Sequence, residues 1–110
     1  MTTQSRWFRD EESFGITNET GDVIGRNLYR DVEPANGTKK RVFPGIFVHP
    51  DYRGAGLAGE LTKHSLDQTI LEGYRIVPIC PYVAKWVREH DNGAYLQYRD
   101  EPSAEHFHDD

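Results

Sequence analysis

The sequence predicts an α+β fold: a mixed, mostly antiparallel sheet of about five strands with two main helices. Three observations predict it. Apolar residues alternate with polar ones through much of the first half, as in half-buried strands. A helix-like segment, Leu57–Glu72, then sits between two apolar strand-like runs, implying a parallel pair joined by a crossover. A second helical pattern follows, with Val83, Trp86, Val87 and His90 at i, i+3, i+4 and i+7.

In chain order, Met1–Glu12 reads as a loose arm whose Trp7 and Phe8 dock on the body. Phe14 and Ile16 alternate with Gly15 and Thr17 as a strand, and Glu19-Thr20-Gly21-Asp22 is a turn. Val23–Arg30 returns as the second arm of a hairpin. Asn36-Gly37 is the strongest local turn signal and leads into a third strand over roughly residues 40–48. Pro44-Gly45 interrupts that strand, because proline cannot donate to a ladder; an edge, bulge or bend is expected there.

Leu57–Glu72 has an unclean apolar pattern: Leu57, Leu61 and Leu71 fall together, with Leu66 and Ile70 nearly opposite. Gly73 is its stop. Arg75–Cys80 reads as a buried strand, Pro81 as the first residue of the second helix, and Asp91-Asn92-Gly93 as that helix's end. Tyr95–Tyr98 suggests a short final strand.

The chain has 110 residues, enough for one domain over residues 1–98. Its net charge of −5 is concentrated in an acidic tail, 99–110, which carries −4 and is expected to be disordered. The body carries only −1, without the basic excess usual in a nucleic-acid-binding domain. No apolar run is long enough to span a membrane and no signal-peptide pattern begins the sequence. One cysteine cannot form an internal disulfide, so a cytoplasmic protein is expected; the expected state is a monomer or weak dimer. No histidine, cysteine and carboxylate spacing calls for a metal.

The stretch around which the rest is organised is Val48-His49-Pro50-Asp51-Tyr52-Arg53-Gly54-Ala55-Gly56-Leu57-Ala58. It leads from a strand into a helix start, where unpaired N–H groups attract anions. Gly54 and Gly56 allow close backbone approach, and Arg53 adds a bidentate donor. An ordinary glycine-rich turn would look similar, although both the Walker ending and the three-glycine dinucleotide fingerprint are absent. Cys80, ahead of the second helix, lies where a helix dipole favours a thiolate; a buried, inert cysteine is the alternative. Lys39-Lys40-Arg41 reads as a solvated basic cluster, with an acidic partner or a ligand phosphate as the functional alternative.

The Val48–Ala58 stretch resembles the acetyl-CoA signature of the GNAT N-acetyltransferase superfamily, with Arg53, Gly56 and Ala58 at the core positions and Val48 and Pro50 leading in. Val77-Pro78-Ile79-Cys80-Pro81-Tyr82-Val83, followed by Trp86 and His90, is similar to the short single-domain GNAT-like subgroup. The resemblance implies a minimal GNAT-like acyl-CoA N-acyltransferase fold. It implies cofactor binding by Val48, His49, Arg53, Gly54, Ala55, Gly56, Leu57 and Ala58, with the amides of about 55–58 on the pyrophosphate and the strand near Val48 along the pantetheine arm. It also implies Cys80 close to the acetyl thioester, accepting the acetyl group or lining the pocket, and Tyr82 as a candidate general acid, with Tyr95 a weaker one and a packing aromatic the alternative. The expected activity is acetyl transfer from acetyl-CoA to an amine of unassigned identity. A non-catalytic CoA-binding or protein-interaction module is the second reading, and a general phosphate or nucleotide binder the third. Full-length members carry two helices between the first strands; the turn at Glu19–Asp22 leaves no room for them, so the acceptor stays open.

Overall fold

The structure, a computed structural model, describes residues 6–33, 37–54 and 56–100. The expected turn at Asn36-Gly37, Gly37 excepted, and residues 101–110 of the expected tail lie outside the described residues; the tail's first two residues, Arg99 and Asp100, are instead held against Ile76, Asp100 N donating to Ile76 O at 2.8 Å. The strands are β1 (Trp7–Arg9), β2 (Ser13–Thr17), β3 (Val23–Leu28), β4 (Arg30–Val32), β5 (Lys40–Phe43), β6 (Ile46–Val48) and β7 (Arg75–Pro78). The helices are α1 (Leu57–Leu71) and α2 (Pro81–Glu89), with 3-10 helices at Pro50–Tyr52 and His90–Tyr98.

Two sheets form, ordered β1-β2-β3-β6 and β4-β5-β7. Both long strands expected from the sequence break where they pass from one sheet to the other. The predicted Val23–Arg30 strand ends at Leu28, and Tyr29 turns aside: its N–H donates to Glu12 O at 2.9 Å and its ring packs 4.9 Å from Phe14. The predicted 40–48 strand breaks at Pro44-Gly45, where proline has no ladder donor and Gly45 O accepts from Leu28 N at 2.9 Å.

The first sheet is antiparallel throughout, while β5 and β7 pair in parallel from Lys40↔Arg75 to Phe43↔Pro78, with α1 as the crossover. Within the expected loose arm, whose residues 1–5 lie outside the described residues, Trp7–Arg9 is a strand, pairing Trp7↔Ile16 and Arg9↔Phe14. The tip of the Phe8 ring packs onto Gly15, where a Cβ would come within 2.1 Å of it, so a larger residue there would push the Phe8 side chain aside.

Helix α1 buries Leu61, Thr62, Ser65, Leu66 and Thr69. That is a regular helical face, although three of its members are hydroxyl residues. Each hydroxyl donates to the carbonyl four residues back: Thr62 to Ala58 at 2.8 Å, Ser65 to Leu61 at 2.7 Å and Thr69 to Ser65 at 2.8 Å. Burial therefore leaves no orphan donor. Both apolar groups expected on this helix contribute to the core, through Leu61 and Leu66, whereas Leu71 is 78% exposed. The expected strand at Tyr95–Tyr98 is also corrected. A left-handed pair at Asn92 (φ 56°) and Gly93 (φ 80°) lies within the 3-10 helix, which lays Tyr95 edge-on against Trp86 at 4.9 Å.

Arg41 overturns the reading of residues 39–41 as a solvated cluster. It is 1% exposed, bound to Asp31 Oδ1 at 2.6 Å and Glu72 Oε1 at 2.9 Å. Its guanidinium lies over the rings of Tyr74 (4.2 Å), Tyr29 (5.0 Å) and Phe14 (5.6 Å). Arg9 pairs with the other oxygen of Glu72, so β1, β4, β5 and the end of α1 share one ionic knot.

A pH dependence follows. The Arg9 hydrogen bond, helped by Arg41 and opposed by burial, holds the Glu72 carboxyl below its ordinary 4.5. Its contribution is complete above pH 4.5 and is lost as pH falls through the lower folded value. Burial holds His64, stacked 4.3 Å from Trp7, below its ordinary 6.5, against the pull of Asp67. The fold thus favours the neutral ring, and stability declines once pH drops below 6.5. Urea midpoints measured from pH 8 to pH 3 should stay level above pH 6.5 and fall below it, with a further fall below 4.5.

Candidate functional site

The site lies where the two sheets part. β5 and β7 are hydrogen-bonded up to Phe43 and Pro78, and Cys80 N donates to Phe43 O at 2.8 Å. Beyond that bond the chains diverge: β6 joins the first sheet as its edge strand, paired with β3 alone, while the other chain enters α2. A cleft of about 260 Å³ opens between the end of β6, the first turn of α1 and the first turn of α2.

Its floor is the turn that the sequence singles out. Gly54 and Gly56 have φ of 87° and 81°, left-handed values that strain other residues, and a Cβ at either would meet only open space. Gly56 caps α1 without a side-chain hydrogen bond, and the N–H groups of a helix's first turn have no partner within the helix. The helix adds partial positive charge at the same point. Arg53 lines the cleft, and its Nε braces the turn by donating to Val48 O at 3.1 Å. Val48, Leu57 and Ala58 supply apolar wall. Ala55 lies outside the described residues.

Not every candidate residue joins this wall. His49 turns to cap the Pro50–Tyr52 helix, Nδ1 accepting from Asp51 N at 3.1 Å, and is not part of the cleft lining. Cys80 caps α2 but is 6% exposed and packs in the core behind the cleft. Tyr82 does line the cleft, 40% exposed, and burial raises its pKa, so its hydroxyl stays protonated at neutral pH. Tyr95 is engaged elsewhere, donating to Asp67 Oδ1 at 2.7 Å.

Three contributors escaped the sequence reading. Tyr52 forms one wall, held by Asn18 Nδ2 at 3.2 Å. Gly59 lines the cleft inside α1, and Trp86 lies behind it. A glycine inside a helix rather than at its cap is disfavoured against alanine, and that was the available signal for Gly59, third residue of α1. Tyr52 and Trp86 carry no comparable one.

A family model described as GCN5-related N-acetyl-transferase matches residues 13–101. The chain belongs to this family. The acetyltransferase fold also appears in solved structures. A ribosomal-protein-alanine N-acetyltransferase from Brucella melitensis biovar Abortus 2308 superposes with TM-score 0.56 at 24% identity, over 86% of this chain and 66% of that one. A Trypanosoma brucei acetyltransferase gives 0.55 at 18% identity, over 83% and 63%. An integron cassette protein from the mobile metagenome of V. cholerae gives 0.55 at 18% identity, over 73% and 54%. At these identities the likeness is one of fold, and the chain spans 66% or less of each of these structures. No curated protein matches the sequence significantly. Among the described residues, no helix of this GNAT chain is long and apolar enough to cross a membrane, and no cluster of His, Cys, Asp and Glu could hold a metal ion.

Proposed function

We propose that this GNAT domain binds acetyl-CoA in the cleft and transfers its acetyl group to an amine. One observation carries the reading: a helix start with two left-handed glycines and Arg53 meets the edge strand of the first sheet in the same cleft. The first feature suits a pyrophosphate and the second an amide-bearing arm. The fit is to the chemistry of CoA rather than to a compact nucleotide.

In the reaction, the amine nitrogen attacks the thioester carbonyl, the C–S bond breaks, the departing thiolate takes a proton from Tyr82, and the proton shed by the nitrogen passes through solvent to restore the Tyr82 hydroxyl. An N–H on the open edge of β6 polarises the carbonyl, and protonated Tyr82 supplies the proton. In the variant route Cys80 attacks first, forming an acetyl-cysteine that the amine then cleaves. Its burial would shield such a thioester from water. The assignment of Val48, His49, Arg53, Gly54, Ala55, Gly56, Leu57 and Ala58 to the cofactor, the cytoplasmic setting and the monomeric or weakly dimeric state belong to the same proposal. His49 would act through the turn it caps.

The test is a thermal shift with acetyl-CoA, followed by thiol release over a panel of amines and peptides. Acetyl-CoA should stabilise the protein, and ATP or NAD should not compete. Failure to stabilise sinks the reading. On the direct route Cys80→Ala leaves thiol release unchanged within error. A collapse of release, with an acetylated wild-type protein seen by mass spectrometry, assigns transfer through Cys80.

A second reading, a CoA-binding module without transfer, draws on the tight turn between β2 and β3. It is closed by Asn18 N→Asp22 O at 2.9 Å and leaves no room for acceptor-binding helices. Stabilisation without turnover across the panel favours it.

A further inference from the structure

Among the described residues, buried side-chain polar atoms without a hydrogen-bond partner occur at Asn27 and Trp86. Asn27 sits mid-sheet on β3, between Phe14 and Ile46. Trp86 Nε1 lies beside the cleft. The indole is 4% exposed, stacked on His90 at 3.8 Å and edged by Tyr95, so its orientation is fixed from two sides. Its nitrogen lies near Gly59 and is closed off from solvent. A Cβ at residue 59 would lie 3.8 Å from Trp86 Nε1 and 3.6 Å from the Tyr82 hydroxyl. Gly59 and Tyr82 both line the cleft. The missing side chain therefore leaves a gap in the cleft wall with an unused indole donor behind it.

Orphaned buried N–H groups are rare, and a rigidly held one beside a cleft is suited to an incoming acceptor. We propose that Trp86 Nε1–H is a ligand-binding donor that takes a carbonyl oxygen of the pantetheine arm through the gap at Gly59. The inference rests on the acetyl-CoA reading. A neutral donor in a largely apolar recess matches an amide carbonyl. The charged phosphates are served by Arg53 and the helix start. The Tyr82 hydroxyl lies on the same side of Gly59 as the indole nitrogen, so its exposed side chain swings aside as the carbonyl enters.

The experiment uses the full chain labelled with nitrogen-15. It contains two tryptophans, so Trp7→Phe identifies the Trp86 indole signal. Trp7 lies away from the cleft, against His64. Titration with acetyl-CoA and with pantetheine should move the Trp86 N–H proton downfield, and adenosine 3′,5′-bisphosphate should leave it in place. Calorimetry run alongside separates the two readings. If acetyl-CoA binds and the Trp86 signal stays, or if the bisphosphate alone moves it, this inference is overturned and the acetyl-CoA reading stands. If acetyl-CoA does not bind, both fall.

Gly59→Ala supplies the second arm. Its methyl fits at ordinary contact distance in a helix that favours alanine, so the melting temperature should hold or rise. With the gap filled, affinity for pantetheine and acetyl-CoA should drop about tenfold, the worth of one hydrogen bond. Unchanged affinity would overturn the proposal.

Discussion

Replacing Arg41 by alanine is expected to cost about 3 kcal/mol of unfolding free energy, the low end of the loss for breaking a buried ion pair. The low end applies because water reaches the partners: the side chains of Asp31 and Glu72 are 29% and 31% exposed. In a domain of this size each kcal/mol moves the melting temperature by about 4–8 °C, so a fall of about 12–24 °C is expected. The loss has two parts. Two carboxylates are left without their shared cation, and a void opens among Phe14, Tyr29 and Tyr74. Arg41→Lys should recover part of the loss, since the charge returns without the fork that reaches both carboxylates. Thermal melts of the two variants check this; an alanine variant that melts like wild type would remove the knot from the account of stability.

The largest effect on binding is expected at Gly56. Gly56→Asp places a carboxylate at the helix start, in open space beside the cleft, with φ of 81°. Asp and Asn tolerate this conformation better than most residues, so the fold should survive. Two like charges about 4–6 Å apart repel by roughly 3–4 kcal/mol at an effective dielectric near 20. Screening reduces that, leaving about a 100-fold loss of acetyl-CoA affinity. Gly56→Asn keeps the shape without the charge and should lose about tenfold or less. The gap between the two variants in calorimetry is the readout. Equal affinities would mean that no anion sits at this turn.

The strand–turn–helix core of the site was legible because its signals are local. Glycine, arginine and a helix start are adjacent in the chain, and their chemistry does not depend on distant partners. The breaks at Tyr29 and Pro44-Gly45 were half legible: proline announced one, whereas Tyr29 leaves the ladder for tertiary reasons. Arg41 was misread because its neighbours in sequence are lysines, while its partners Asp31 and Glu72 come from β4 and the end of α1. The face of α1 was misread because Thr62, Ser65 and Thr69 look polar in a sequence yet satisfy their own hydroxyls when buried. β1 offers three residues, too few for a period to show. Nothing in the sequence placed the Trp86 indole against Gly59, because that contact joins two helices through their packing.

The parallel pairing of β5 with β7 bears on when the cleft comes into being. Its two strands are separated in the chain by all of β6 and α1, so closing it requires a long loop to be fixed before the contacts reward it. The cleft has one wall on each side of that closure. An intermediate with only the β1–β2–β3 meander would hold neither the split between strands nor α2 beside α1. Ligand capture therefore waits on completion of the native topology. A ligand that holds the cleft together raises the barrier to unfolding of the whole chain, and not merely the rigidity of one loop.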